Sequence, residues 1–373
     1  MIYLDYSANT PVDARVLEQF CAVERRCIGN ANSHHQAGSA AKAEIDAATI
    51  KIASLLGVQP AEIIYTSGAS EANNFALKGL ARLSRHAGRH IISTPLEHSS
   101  VSGTLTALQE QGYEIDLLDV KQDGTVDLEH LKDLLRPDTI CVAVTLVDSE
   151  LGVVQPVQEI AAILKAYPHC HLHVDATQAV GKIPVSFEGV DTMSLTAHKF
   201  YGLNGIGLLI KRRNLALEPL IHGGESTTIY RSGTPTVALA SSLACALDFA
   251  VTDLPGRVDH VAKLNAELRA ALSTYPLVRI NSPDTAVPQI LNLSVQNVKG
   301  TVFQRELDAQ GVCVSVKSAC SSDGLPSRAV FAVSHDRRNA LSSWRISLSH
   351  LTTEQEITDF MQAFDACYNA LTQ

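Results

Sequence analysis

The sequence has no CxxC pair and no zinc-finger spacing; its eight cysteines fall singly at positions 21, 27, 141, 170, 245, 313, 320 and 367. In a chain of this size that scatter argues against a disulfide framework and predicts reduced thiols. Long basic runs are also missing. Thirty Lys and Arg against 39 Asp and Glu leave a formal net charge of −9, without the footprint of a chain that grips nucleic acid or an anionic membrane. No direct nucleic-acid or membrane partner is therefore expected. The first residues, MIYLDYSANTPVD, lack a basic stretch followed by an apolar run, so no signal peptide is expected. The longest uncharged run, 232–247, is 16 residues diluted with Ser and Thr, too short and too polar to cross a bilayer. A cytoplasmic location follows as the expectation. No internal repeat, low-complexity tract or Pro/Gly-rich linker interrupts the chain, which predicts closely packed domains.

What is present is an ordinary globular composition, 373 residues with 46% hydrophobic and 18% charged, enough for two domains. Helical spacing is read at 13–27 and 38–56. From Glu62 onward short β-branched runs alternate with helical patterns: EIIYTS, HIIST, EIDLLDV, TICVAVTLV, HLHVDAT, TMSLT and IGLLIK. That alternation predicts an α/β domain over 13–250, with a mostly parallel sheet covered by helices and ligands at the strand ends. After about residue 250 the pattern becomes α+β: a helix is read over 257–275, then strand QILNLSV, a helix over 302–310, strands VCVSV and SWRISLS, and a last helix opened by the capping box Thr353-x-x-Glu356. A smaller domain is read there from 251–373, joined by residues 1–12.

Several residues sit where chemistry is possible. Lys199, in SLTAHKFYGLNGIG, follows a strand and precedes a glycine-rich turn; a lysine held there is either a loop residue or an amine able to form a Schiff base. Alternation in HLHVDATQ turns His173, Asp175 and Thr177 away from Leu172, Val174 and Ala176. Asp175 is thus either a turn aspartate or a carboxylate for a pyridinium nitrogen. In YTSGASEANNFALKGLARL, Gly68, Ala69 and Ser70 open a helix with apolar positions Ala72, Phe75, Ala76, Leu80 and Leu83. Its N-terminus suits a phosphate, with Ser70 as a donor or as a plain N-cap. His98 follows strand HIIST and is placed to stack on a ring or move a proton. In SWRISLS, Arg345 alternates away from Trp344 and Ile346 and is either a carboxylate clamp or half of a salt bridge. Cys320 lies in the small polar loop SACSSDG, where a nucleophilic thiolate would be exposed. His169, His171 and His173 alternate onto one face, but three neighbours on a straight strand do not surround an ion, and no metal is assigned.

In order along the chain, YLDYSANTPVD, GN-x-x-S-x-H around His35, TSGASEANN, EHSSV, LGVVQP, HVDATQ, TAHKFYG-x-x-GIG, RSGT, SACSS and RISLSHLTTEQEI resemble the cysteine desulfurases of the NifS and IscS type, pyridoxal-phosphate enzymes of aminotransferase class V. The resemblance implies the type I pyridoxal-phosphate fold, built as a homodimer. It implies that Lys199 bonds the cofactor aldehyde, Asp175 pairs with the pyridine nitrogen, Gln178 hydrogen-bonds the phenolic oxygen and His98 stacks on the ring. Ser70, Thr196 and His198 then hold the phosphate, helped by Thr234 from a second subunit. Arg345 binds the carboxylate of L-cysteine, and Cys320 receives its sulfur for an acceptor protein.

The chain also departs from that pattern. Asp148, Ser149 and Glu150 stand where the family has Asn-Asn-Glu, and the cofactor contact of the second Asn is not carried over to Ser149. Lys317 replaces a Gly before SAC, Ser349 and His350 replace Gly-Arg, and Ala31 replaces a Pro. Two other readings stand beside the desulfurase: a selenocysteine or cysteine-sulfinate lyase with the same cofactor, and a non-catalytic scaffold for sulfur relay.

Overall fold

The computed structural model describes residues 1–317 and 325–373. Its strands are β1 (Ile2–Tyr3), β2 (Ile63–Thr66), β3 (His90–Ser93), β4 (Glu114–Leu117), β5 (Thr139–Thr145), β6 (His171–Asp175), β7 (Thr192–Thr196), β8 (Gly207–Lys211), β9 (Val278–Ile280), β10 (Ile290–Val295), β11 (Val312–Cys313) and β12 (Ser343–Ser347). Seven of them form one sheet in the order β2-β8-β7-β6-β5-β3-β4. Only β8 runs against its neighbours, as the alternation of strands and helices predicts for a crossover-built sheet.

Successive residues of each strand enter different cores. Ile63, Ile92, Val142, Val174 and Leu195 pack on one face, whereas Ile64, Ile91, Cys141 and Ala143 pack on the other. With both faces covered, the strands read as apolar runs rather than as half-polar alternations. Helices Ala69–Ser84 and Ser99–Gln109 supply the second face. Leu83, read as part of the apolar face of the first of these, is instead 40% exposed, because it lies in the last turn, beyond the edge of that core. The uncharged run contains a helix the sequence reading did not assign, Val237–Thr252. Its Ala, Ser and Leu side chains are buried nearly all round, so no amphipathic period marks it. Among the described residues no single helix is long and apolar enough to cross a membrane.

The C-terminal part builds a second sheet, β12-β10-β9, antiparallel throughout. Trp344, Phe303 and Phe364 lie at the centre of its core, with the first two rings stacked at 5.2 Å. The helix expected from residue 257 begins earlier, at Leu254, with a Pro in its first turn. Only Val312–Cys313 of VCVSV is strand, paired with the two-residue β1, and Ser315 beyond it makes an isolated bridge to Arg345. Chain residues 2–10 thus run beside the C-terminal sheet and on to the large one: Asp5 bridges Ser347, and Thr10 N–H donates to His198 O at 3.0 Å.

Candidate active site

The C-terminal ends of β2, β3, β5, β6 and β7 open onto one cavity of about 360 Å³. Ser67 to Glu71 enter it after β2, Leu96 and His98 after β3, Thr145 and Ser149 at and after β5, Asp175 to Gln178 from β6, and Thr196 to Lys199 from β7, with Arg345 closing one side. Strand ends at the mouth of a parallel sheet are where such folds bind ligands.

Lys199 sits in a single 3-10 turn after β7. Its Nζ donates to the carbonyl oxygens of Ser7 and Ala8 at 2.9 and 2.6 Å. Gln178 Nε2 donates to the same Ser7 oxygen at 2.9 Å. The N-terminal segment therefore positions both groups through backbone, which no side-chain pattern announces.

Asp175 is anchored rather than loose. Its Oδ1 accepts from Thr177 N–H at 2.9 Å and its Oδ2 from Asn73 Nδ2 at 2.8 Å. Asn73 in turn accepts with Oδ1 from Ser194 Oγ and from His173 Nε2 at 3.0 Å, while His173 Nδ1 lies 2.9 Å from Thr192 Oγ1. Burial pushes the His173 imidazole down to about 4, so the ring is neutral and carries its proton on Nε2. Asn73 was missed in the sequence, although it precedes Ala76, Leu77 and Leu80 by three, four and seven residues and so shares their buried face. Asn73→Ala leaves two buried donors and Asp175 Oδ2 without the amide, and is expected to cost about 2–4 kcal/mol of stability. Urea unfolding measures this; a variant with the wild-type midpoint would show that water replaces the amide.

The helix Ala69–Ser84 starts directly after Gly68. Ser70 lies inside its first turn and is not the N-cap, so its hydroxyl is not spent on capping. Gly207 of β8 lets this loop approach: a Cβ there would stand 2.6 Å from Leu195 O and 2.7 Å from Gly68 Cα. Thr196 Oγ1 lies 3.1 Å from His198 Nδ1, and burial followed by the Lys199 charge pushes His198 down to about 4. His98 caps the helix Ser99–Gln109, its Nδ1 accepting from Ser100 N–H at 3.2 Å. Burial lowers its pKa, so a neutral ring presents Nε2–H. Arg345 is 1% exposed. It donates from Nη1 to Ser149 O at 2.6 Å and from Nη2 to Asp5 Oδ1 at 3.0 Å.

Residues 2–360 match the family described as Aminotransferase class-V. The chain belongs to that family. It is 36% identical to a NifS/IcsS protein homolog of Lactobacillus delbrueckii subsp. bulgaricus, over 99% of this chain and 97% of the relative. It is 39% identical to a cysteine desulfurase IscS of Proteus mirabilis, over 95% and 90%. A solved NifS-like protein superimposes with a TM-score of 0.93 at 35% identity, covering 100% of this chain and 99% of the other. The mostly parallel sheet under helices is the type I fold that the sequence resemblance implies.

Class-V aminotransferases imply pyridoxal phosphate, and the donor set here fits it. A helix N-terminus with a hydroxyl and an imidazole beside it suits a phosphate, an anchored carboxylate suits a protonated ring nitrogen, and a flat neutral imidazole suits a ring face. Gln178 lines the cavity, and its Oε1 is buried without a partner among the described residues.

Not every expected residue of this class-V site is there. Thr234 is exposed and does not line the cavity. Cys320 lies outside the described residues. Of the three histidines only His171 and His173 lie on one face of β6, which begins at His171; His171 Nδ1 is 3.7 Å from Asp191 and His173 binds Asn73. Ser149 contributes its backbone oxygen rather than its side chain.

Behind the site lie two buried acids. Asp148 accepts with Oδ2 from the N–H groups of Glu150 and Leu151, and Glu97 accepts with Oε1 from Thr94 Oγ1 and Thr145 N–H, both at 2.8 Å. Asp148 Oδ1 and Glu97 Oε2 have no partner among the described residues. Burial, then the charge of Glu150, pushes Asp148 up to about 7, and burial pushes Glu97 up to about 8. A folded-state pKa above the unfolded one means the native state holds the extra proton. Its contribution is complete below pH ~4 and is lost as pH rises through the folded value. Asp148→Asn removes that loss, so its stability relative to wild type should rise by about 1–3 kcal/mol between pH 5 and pH 8. Unfolding at the two pH values decides it; an equal difference at both would mean that Asp148 is ionised throughout.

Proposed function

We propose that this protein is an L-cysteine desulfurase that leaves the substrate sulfur on Cys320 as a persulfide and releases L-alanine. The observation that carries the reading is one cavity in which Lys199, Asp175, His98 and Arg345 converge at the ends of parallel strands. Pyridoxal phosphate, when bound, supplies an aldehyde that joins amines and a ring that takes up negative charge. Ser70, Thr196, His198 and the helix N-terminus would hold its phosphate, Asp175 its ring nitrogen, Gln178 its phenolic oxygen and His98 its face. Lys199 would bond the aldehyde at rest and move the proton at the substrate α-carbon. Arg345 binds the substrate carboxylate. Cys320 thiolate attacks the substrate sulfur, the carbon–sulfur bond breaks with its electron pair going to carbon, and that carbon takes up a proton. L-cysteine and a thiol thus become L-alanine and a persulfide.

The assembly belongs to the same reading. Thr234 reaches the phosphate of a second subunit in a homodimer, and an acceptor protein takes the sulfur. Residues 13–250 form the large domain, and 1–12 with 251–373 the small one. Purified protein given pyridoxal phosphate should turn yellow and form alanine from L-cysteine in step with persulfide. Faster turnover of L-selenocysteine or L-cysteine sulfinate without a persulfide would favour a lyase instead.

A further inference from the structure

Arg345 is held by a carboxylate of the chain itself. Asp5 Oδ1 accepts from Nη2 at 3.0 Å, and the two side chains are 17% and 2% exposed. Asp5 does not line the cavity, so it meets the site only through the guanidinium. Its other oxygen is taken: Ser315 Oγ donates to Oδ2 at 2.8 Å. Ser315 is fixed in turn by backbone bonds with Arg345, N–H to O at 3.2 Å and O from N–H at 2.6 Å. Asp5 itself is set by its bridge to Ser347 and by Ala8 N–H donating to its carbonyl at 3.0 Å.

This arrangement has a specific chemical effect. A guanidinium has five N–H donors, and a carboxylate left to itself takes two of them in a fork. Ser315 draws Oδ2 away, so Asp5 makes a single bond to Nη2. Ser149 O takes one proton of Nη1, and the buried Nε has no partner among the described residues. Arg345 is thereby pinned at both terminal nitrogens while it lines the cavity. Asp5 also supplies a counter-charge to a buried cation that would otherwise be costly to hold.

We infer that Asp5, oriented by Ser315, is a positioning residue that fixes Arg345 at the cavity wall for the carboxylate of the amino-acid substrate, an inference that rests on reading Arg345 as the substrate-carboxylate site. Asp5 belongs to the segment whose next carbonyls but one, Ser7 and Ala8, hold Lys199. One stretch of four residues, 5–8, thus sets the distance between the amine and the carboxylate clamp.

The test uses the purified holoenzyme, with the KM and kcat for L-cysteine and an absorbance titration with L-alanine, which carries the same carboxylate and no sulfur. Asp5→Ala is expected to weaken L-alanine binding and raise KM by about 10-fold with kcat changed by less than about threefold, as one charge-assisted bond is lost. Asp5→Asn keeps an acceptor for Nη2 and should recover to within about threefold of wild type. Arg345→Ala is measured alongside. If it shifts L-alanine binding and Asp5→Ala does not, the inference is overturned while the reading of Arg345 stands. If Arg345→Ala itself binds as wild type does, the reading of Arg345 fails and takes the inference with it. Should Asp5→Ala not fold, Ser315→Ala removes only the hydroxyl and lets Asp5 fork onto Arg345. It is then expected to weaken L-alanine binding about threefold, and wild-type binding in that variant overturns the inference equally.

Discussion

Lys199→Ala is expected to leave a colourless protein that forms no alanine from L-cysteine, a loss of at least about 10³-fold. In the proposed function two roles end with one side chain: the amine that joins the cofactor aldehyde and the base at the α-carbon. Among the described residues no other lysine lines the cavity. Lys182 is buried and pushed down to about 7, by burial first and then by the charge of Lys199, but it is not among the residues lining the active-site cavity. It faces a separate small cleft, which Lys199 also borders. The carbonyl oxygens of Ser7 and Ala8 lose their donor in the variant, at about 1–3 kcal/mol of stability, so circular dichroism must accompany the assay to separate misfolding from lost chemistry. Alanine production within tenfold of wild type by a folded variant would sink the cofactor assignment.

Cys320→Ser is expected to keep the yellow colour and the spectral response to L-cysteine, because both depend on Lys199 and the cavity, while sulfur transfer falls at least about 10²-fold. A serine hydroxyl is almost wholly protonated near neutral pH and attacks sulfur poorly; a thiol is ionised by a few per cent even at its ordinary pKa. Mass spectrometry of the wild type after L-cysteine should find one added sulfur on the peptide containing Cys320, removable by reductant. Competing thiols are poorly placed: Cys141 is wholly buried and burial pushes its thiol well up, and Cys170 is pushed up to about 12 by burial. Added sulfur on Cys313 instead, or wild-type sulfide and alanine from Cys320→Ser, would make the lyase the better reading.

The sequence by itself determined which residues end a strand and which way they face. Those properties are local: period-two alternation and glycine punctuation act over five or six residues, so Lys199, Asp175 and Arg345 could be assigned positions on their strands before any partner was known. The same locality explains the errors. A helix buried on all sides, Val237–Thr252, carries no amphipathic period, and VCVSV read as a full strand because its alternation is silent about how long a partner it has.

Only the tertiary structure decided what each of those residues touches. Asp5 and Arg345 are separated by 340 positions and Asn73 and Asp175 by 102; both meetings follow from which strands and segments lie side by side. Strand order is chosen by burying both faces of the sheet at once, a condition on the whole chain rather than on any stretch of it. Lys199 is held by backbone carbonyls of residues 7 and 8, groups every residue carries and no sequence pattern distinguishes.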